Sequence, residues 1–383
     1  MKIKNLLVRI VAILLISSTL LLTCACVGDT EEDFSSSDSM SDSALLYTPT
    51  EEPETKETEK ETEKKTTKKT TTKRTTQKVT EKPQVAPIAK TKALAKSDVN
   101  ADDLLNALKG QTSNTTVYSI AVSTTDGIKV KSIKNTDPQN TYSVSKVFCV
   151  TAIGMLYDEG KLKTTDTIGN IFKDEIKKYG INENKWKNIT IHDVLKHNIG
   201  YTKGSLLDID VYKNEWKSWD KDFLKLTLNY ATDGKKTHKY SDAAYYLLSR
   251  VVAKVSGQKL DVYLKSRLFD KADFKNYTIT KCPQGHPIGA TQFFLRPDDV
   301  VKLGRIYLNG GTYNGKRIIS QEWVNIVIDK GYELGSNGTG YSKGGMNGQF
   351  LYINYKHNVA VAWLSKWEDN TWKLGDELKK HMK

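Results

Sequence analysis

Ser143 and Lys146 lie three residues apart in Ser143-Val144-Ser145-Lys146, a spacing that puts a hydroxyl and an amine one helical turn from each other. An amine so placed can take up the hydroxyl's proton and make serine a nucleophile. The tetrapeptide alone is a weak signal, since such pairs usually form a solvated helix face. Its setting strengthens it. The run Val147-Phe148-Cys149-Val150-Thr151-Ala152-Ile153 reads as a buried helix with Ser143 at its N-terminal end, where the dipole favours a developing anion. His192 and His197 are five residues apart, which is not the spacing of a zinc helix, and neither Cys149 nor Cys282 has metal or redox spacing. No metal and no cofactor is expected. Cys149 reads as a small buried side chain, and two cysteines do not make a disulfide framework.

The elements that must position these residues fall in 96–383, long enough for one large domain with a substantial core. Asp98 to Leu108, stopped by Gly110, predicts an amphipathic helix. Thr116 to Ser123 and Ile128 to Ile133 predict a hairpin, as do Gln349 to Tyr355 and Val359 to Leu364, and a helix from about Thr371 closes the chain. Between the hairpins the signals are mostly helical. The expected fold class is α/β (α+β): an antiparallel sheet, with the first and last helices on one face, plus an all-helical lobe on the other. Trp186, Tyr201, Trp216 and Trp219 fall in that lobe and read as core rather than as cleft lining. His197 reads as a residue packing a turn, and His286 and Gln284 receive no role.

Residues 1–26 read as an export signal: Lys2, Lys4 and Arg9 precede an apolar run from Ile10 to Leu22, too short for a comfortable membrane span. Leu22-Thr23-Cys24-Ala25-Cys26 resembles a bacterial lipoprotein cleavage site, with Cys26 the lipidated N-terminus. Cys24 is the alternative, and an ordinary signal cut at small residues is another. Residues 27–95 are rich in Ser, Thr, Glu and Lys and cannot bury a core. A coil of about 70 residues spans roughly 45 Å, so this segment reads as a tether. The formal net charge of +13 does not indicate nucleic acid, because the basic stretch from Lys64 to Lys78 lacks interleaved aromatics and follows an export signal. Contact with an anionic cell-wall polymer is the expectation it supports.

The chain resembles the serine hydrolases related to class C β-lactamases and penicillin-binding D,D-peptidases. The resemblance runs over nearly all of 96–383: Ser143-Val144-Ser145-Lys146 continuing to Leu162, Ile189-Thr190-Ile191-His192-Asp193-Val194-Leu195-Lys196-His197-Asn198-Ile199-Gly200, Tyr240-Ser241-Asp242, Gly289-Ala290-Thr291, and Lys343-Gly344-Gly345 before Met346. It implies a β-lactamase/transpeptidase-like fold and acyl transfer through Ser143. Lys146, Tyr240, Asp242 and Lys343 would be the other catalytic residues, and Gly344, Gly345 and Met346 would line the oxyanion and substrate site. The oxyanion would sit between the backbone N–H groups of Ser143 and Met346. Tyr240, drawn toward phenolate by Lys146 and Lys343, would pass the serine proton to the leaving group. Two departures bear on this. Asp242 stands where the family has an amide, and a carboxylate there would keep Lys146 protonated. An S-D-N frame starting at Ser241 fails, because Ala243 replaces its amide. Gly344 replaces a Ser or Thr whose hydroxyl helps hold a substrate carboxylate in penicillin-type enzymes.

The expected function is an exported, lipid-anchored serine hydrolase of the D,D-peptidase, amidase or esterase type at the bacterial membrane, secreted if not lipidated. Its partners would be a small acyl substrate or a peptidoglycan-type peptide. A catalytically inactive envelope-binding lipoprotein of the same fold is the alternative, suggested by Asp242 and Gly344.

Overall fold

The computed structural model describes residues 95–201, 222–230 and 232–383. The export signal, Cys24, Cys26, nearly all of the tether, Trp216 and Trp219 lie outside the described residues.

Six strands form an antiparallel sheet: β1 (Val117–Thr124), β2 (Gly127–Ser132), β3 (Gly335–Ser336), β4 (Tyr341–Gly345), β5 (Gln349–Asn354) and β6 (Val359–Ser365), in spatial order β2-β1-β6-β5-β4-β3. The first and last hairpins therefore meet at the centre, where Ala121 of β1 lies opposite Ala362 of β6. β1 and β6 are buried on nearly every residue, so both faces of the central sheet must be covered.

One face is covered by α1 (Ala101–Gly110) and the C-terminal α7 (Trp372–His381), whose Leu104, Leu108, Leu374 and Leu378 pack on Val122, Val361 and Trp363. The helix α1 begins at Ala101 rather than Asp98, because Asn100 caps it through its side-chain oxygen, and Gly110 lies inside it as its last residue. The other face carries the larger core, built on α2 (Ser145–Asp158), α4 (Asp242–Ser256) and α5 (Pro297–Leu308). Ser145 to Leu156 are all buried, so α2 is apolar nearly all round and runs through the centre of the lobe. Trp186 and Tyr201 are core residues there, and Cys149 and Cys282 are buried free thiols. The architecture is the expected one, a mixed α/β fold with a layered antiparallel sheet and a helical lobe. Among the described residues no helix is long and apolar enough to cross a membrane.

A cavity of about 590 Å³ lies at the β1–β2 turn, lined in part by Thr125, Lys302, Arg305 and Asn358. Arg305 there ties the ends of β1 and β6 together, donating to Ser123 Oγ at 3.0 Å and to Asn358 Oδ1 at 2.6 Å. In the sheet this is the end away from Lys343 and Gly345, which pair with Leu351 and Gln349 at the start of β5.

Candidate active site

Ser143 sits in a single 3-10 turn, Tyr142–Val144, that leads directly into α2. The turn is pinned on several sides. Asn140 Oδ1 accepts from Tyr142 N (2.9 Å) and Gln292 N (3.1 Å), and Thr141 Oγ1 donates to Phe293 O at 2.9 Å. Tyr142 is held at φ 43°, a left-handed conformation costly for a bulky residue, which places backbone strain immediately before Ser143. The end of β4 closes on the same turn. A Cβ at Gly345 would lie 2.7 Å from Thr141 O and 3.2 Å from Ser143 N, so only glycine allows this approach.

Lys146, with no solvent exposure, points one turn back along α2. Its ammonium donates to Ser143 Oγ at 3.0 Å, Asp242 Oδ1 at 2.5 Å and Ala290 O at 3.1 Å. An ammonium has three donors, and here all three are used. Burial alone would push this lysine's pKa down, but the neighbouring Asp242 carboxylate, with Tyr240 and Glu333 behind it, overrides that and holds it above the usual lysine value. Lys146 is thus protonated at neutral pH and is not positioned to act as a neutral base.

Asp242 is the first residue of α4, and Ser241 caps that helix by accepting from Ala243 N at 3.1 Å. Tyr240, just before the cap, is 46 % exposed and faces two cations. Lys343 Nζ on β4 donates to its hydroxyl at 3.0 Å, and the ammonium groups of Lys146 and Lys343 lie 4.7 and 4.8 Å from its ring centroid. Both are within cation–π range and would stabilise negative charge developing on the phenol oxygen.

Two residues that the sequence reading assigned no part in the chemistry complete the site. His197 follows the short helix α3 (Ile191–Leu195), which Thr190 and Asp193 close with a reciprocal capping box. Its ring lies 4.5 Å from that of Tyr240, so it does more than pack a turn. Its Nδ1 accepts from Ser241 N at 3.1 Å, which assigns the proton to Nε2, and Nε2 donates to Glu333 Oε1 at 2.8 Å. Burial lowers its pKa against the pull of Glu333, leaving the imidazole neutral. Glu333 lies between α6 (Gln321–Lys330) and β3, in a reversal where Gly331 (φ 64°) and Glu333 itself (φ 60°) are both left-handed. Its other oxygen forms an ion pair with Lys343. Its side chain is 4 % exposed; burial opposes ionisation, but the His197 N–H and the Lys343 and Lys146 charges win and hold the carboxyl down at about 2.

Gly344 is exposed, and a Cβ there would meet only Gln349 O, at 4.0 Å. The fold has room for the missing hydroxyl. Met346, next after Gly345, is 58 % exposed. Among the described residues no group of His, Cys, Asp and Glu side chains could hold a metal ion.

A β-lactamase family model matches residues 113–379, and the chain belongs to that family. It is 22 % identical over 257 residues to a 6-aminohexanoate-dimer hydrolase of Paenarthrobacter ureafaciens, covering 59 % of this chain and 66 % of that protein, just under two thirds of its length. Its fold is similar to that of a penicillin-binding protein homologue from Caulobacter crescentus (TM-score 0.57, 11 % identity, 75 % of this chain and 99 % of that one). It is equally similar to a family VIII carboxylesterase (TM-score 0.57, 13 % identity, 75 % and 98 % covered). The fold is therefore of the β-lactamase and penicillin-binding-protein type, in which serine hydrolases occur.

The Asp242–Lys146 pair yields a prediction. In Asp242→Asn, burial is left to push Lys146 down with much less opposition, so the amine should lose its proton below the ordinary lysine range. The pH profile of turnover should gain an ionisation below the ordinary lysine range that the native profile lacks. Superimposable profiles would mean that Asp242 does not set the charge of Lys146.

Proposed function

We propose that the chain is a serine hydrolase that transfers the acyl group of an ester or amide to Ser143 and then to water, outside the cytoplasm. What carries this reading is the buried ammonium of Lys146, with one donor on Ser143 Oγ and one on the Asp242 carboxylate, next to a tyrosine held by a second ammonium. Ser143 Oγ attacks the acyl carbon. Its proton is relayed through the Tyr240 oxygen to the leaving group; Lys146 and Lys343 offset the charge as it moves. The backbone N–H groups of Ser143 and Met346 bind the oxyanion, with Gly344 and Gly345 lining the approach. Water, activated in turn by Tyr240, then cleaves the acyl-enzyme. The relatives, a hydrolase of 6-aminohexanoate dimer and a carboxylesterase, support ester and amide donors of modest size. Residues 1–26 and the Cys26 site support export and a lipid anchor, with 27–95 as tether and the domain beginning near residue 96.

A second reading, an inactive envelope-binding lipoprotein, draws on the same Asp242–Lys146 pair, which leaves Lys146 unable to accept a proton directly. Intact mass after treatment with a fluorophosphonate, followed by peptide mapping, separates the two. The hydrolase reading expects one adduct, on the peptide carrying Ser143. Absence of any adduct over hours, in protein with a native circular dichroism spectrum, would favour the binding protein.

A further inference from the structure

Among the described residues the site holds two ammonium groups and two carboxylates, arranged as two ion pairs. Lys146 is committed to Asp242, and Lys343 to Glu333. His197 contributes no charge, because its Nδ1 accepts from a backbone N–H and its single proton lies on Nε2. Glu333 therefore has Lys343 as its counter-ion, and Lys343, only 13 % exposed, is held between that carboxylate and the Tyr240 hydroxyl. In penicillin-type enzymes, which the chain resembles, a hydroxyl at the position of Gly344 helps hold a substrate carboxylate, and Lys343 is the cation next to it on the same strand. Here the hydroxyl is missing at Gly344 although the backbone has room for it, and the cation is already neutralised from behind. The two absences have independent origins, one on β4 and one in the turn after α6, and both remove the same recognition element.

We propose that Glu333 is a specificity-determining residue: by neutralising Lys343 it confines the site to acyl donors with no carboxylate beside the scissile bond, esters or amides whose leaving group is neutral or cationic. This rests on the hydrolase reading and narrows it, away from peptides ending in a free D-amino acid. A leaving-group carboxylate arriving at Gly344 must shed water near the Glu333 and Asp242 carboxylates without gaining an uncommitted ammonium from β4. A neutral group bears no such cost.

The test compares two thioesters of benzoylglycine in the full-length protein, one with thioglycolate and one with thioglycolamide as leaving group. They differ in a carboxylate against a carboxamide, and each kcat/KM is divided by the rate of the same thioester with free hydroxide so that the ratio reports recognition rather than leaving-group pKa. Native protein is expected to prefer the amide by about tenfold or more in kcat/KM. Glu333→Gln, which frees the Lys343 charge, should move that ratio toward the carboxylate by about tenfold, and Glu333→Asp, which keeps the charge, should retain the native ratio. A native preference for the carboxylate overturns the proposal without any variant, which covers the case in which Glu333→Gln does not fold. Equal losses on both substrates in Glu333→Gln, with the ratio unchanged, overturn it too and reduce Glu333 to scaffold. A fluorophosphonate adduct on Ser143 with an unchanged ratio removes this inference alone, whereas no adduct and no turnover removes the hydrolase reading and this inference with it.

Discussion

Replacing Ser143 by alanine is expected to lower kcat on an activated thioester or aryl ester by ~10⁴-fold or more, the scale seen when a covalent nucleophile is removed from a machinery that works as a unit. The geometry leaves no substitute. Ser145, on the same turn, is buried, with its oxygen 2.9 Å from Thr141 Oγ1 and 3.3 Å from Phe293 N, which donates to it. Cys149 lies one turn further into the core with no exposure, and burial pushes its thiol well above the ordinary range, so it is neither reachable nor ionised. The variant should fold. Lys146 loses one of its three acceptors but keeps Asp242 and the Ala290 carbonyl, a loss on the order of 1 kcal/mol. Turnover within tenfold of native, in protein with an unchanged melting midpoint, would place the nucleophile elsewhere.

The parts of this site that were legible in the sequence are those whose geometry is local. Ser143 and Lys146 are one turn apart where the chain enters α2, so residue type and spacing pick them out before any fold is known, whereas Tyr240 and Asp242 were read through the family resemblance. The two terminal hairpins were legible for the same reason: alternation of side chains along a strand is written in neighbouring residues, and the observed strands begin and end within one or two residues of the expected bounds. Glu333 had no such signal. It occupies a turn without a motif, and it becomes significant only because the fold brings it to His197, 136 residues earlier in the chain, and to Lys343 on the adjacent strand. His197 was visible as part of a family segment but read as turn packing, because its partners are supplied by the turn after α6 and by the start of α4. The one cue to Glu333 was a carboxylate beside Gly331 in a short apolar link, Tyr332-Glu333-Leu334, where a charge has to find a partner if it is buried. The short pairing of Gln139–Asn140 with Phe294 and Leu295, which fixes the strand before Ser143, was equally silent, since two-residue strands carry no periodicity.

Charge placement rather than any single residue distinguishes this site. Two ion pairs, largely shielded from solvent, lie beside Tyr240, and removing one partner alone leaves the other to lose its charge or carry it unpaired, a loss of up to about 3–5 kcal/mol. Such an arrangement contributes little net stability and serves to hold two ammonium groups at fixed distances from one phenol. The energy of the fold instead comes from the apolar lobe around α2 and from the sheet core under α1 and α7. Stability and chemistry therefore separate spatially, and substitutions confined to the exposed Tyr240 hydroxyl should affect one without the other.

That separation makes Tyr240→Phe the second decisive variant. Its ring should stay where it is, 4.5 Å from His197 and within 5 Å of both ammonium groups, and Lys343 should remain paired with Glu333, so the melting midpoint is expected to change little. What is lost is the oxygen that accepts the Lys343 hydrogen bond and that would relay the serine proton. Removing a general acid–base of this kind costs about 10²–10⁴-fold. The loss should depend on the leaving group. An aryl or thio leaving group departs as an anion without being protonated, so with such esters the substitution forfeits only the activation of Ser143. An alkyl alcohol or an amine must be protonated as it leaves, so with alkyl esters and amides the same variant forfeits both halves of the relay. Measured across a series of esters with one acyl group, the deficit of Tyr240→Phe should therefore widen by at least about tenfold as the leaving-group pKa rises from that of nitrophenol to that of an alkanol. A deficit that is uniform across the series would assign Tyr240 to positioning Lys343 and Lys146, and the proton would then have to travel by another route.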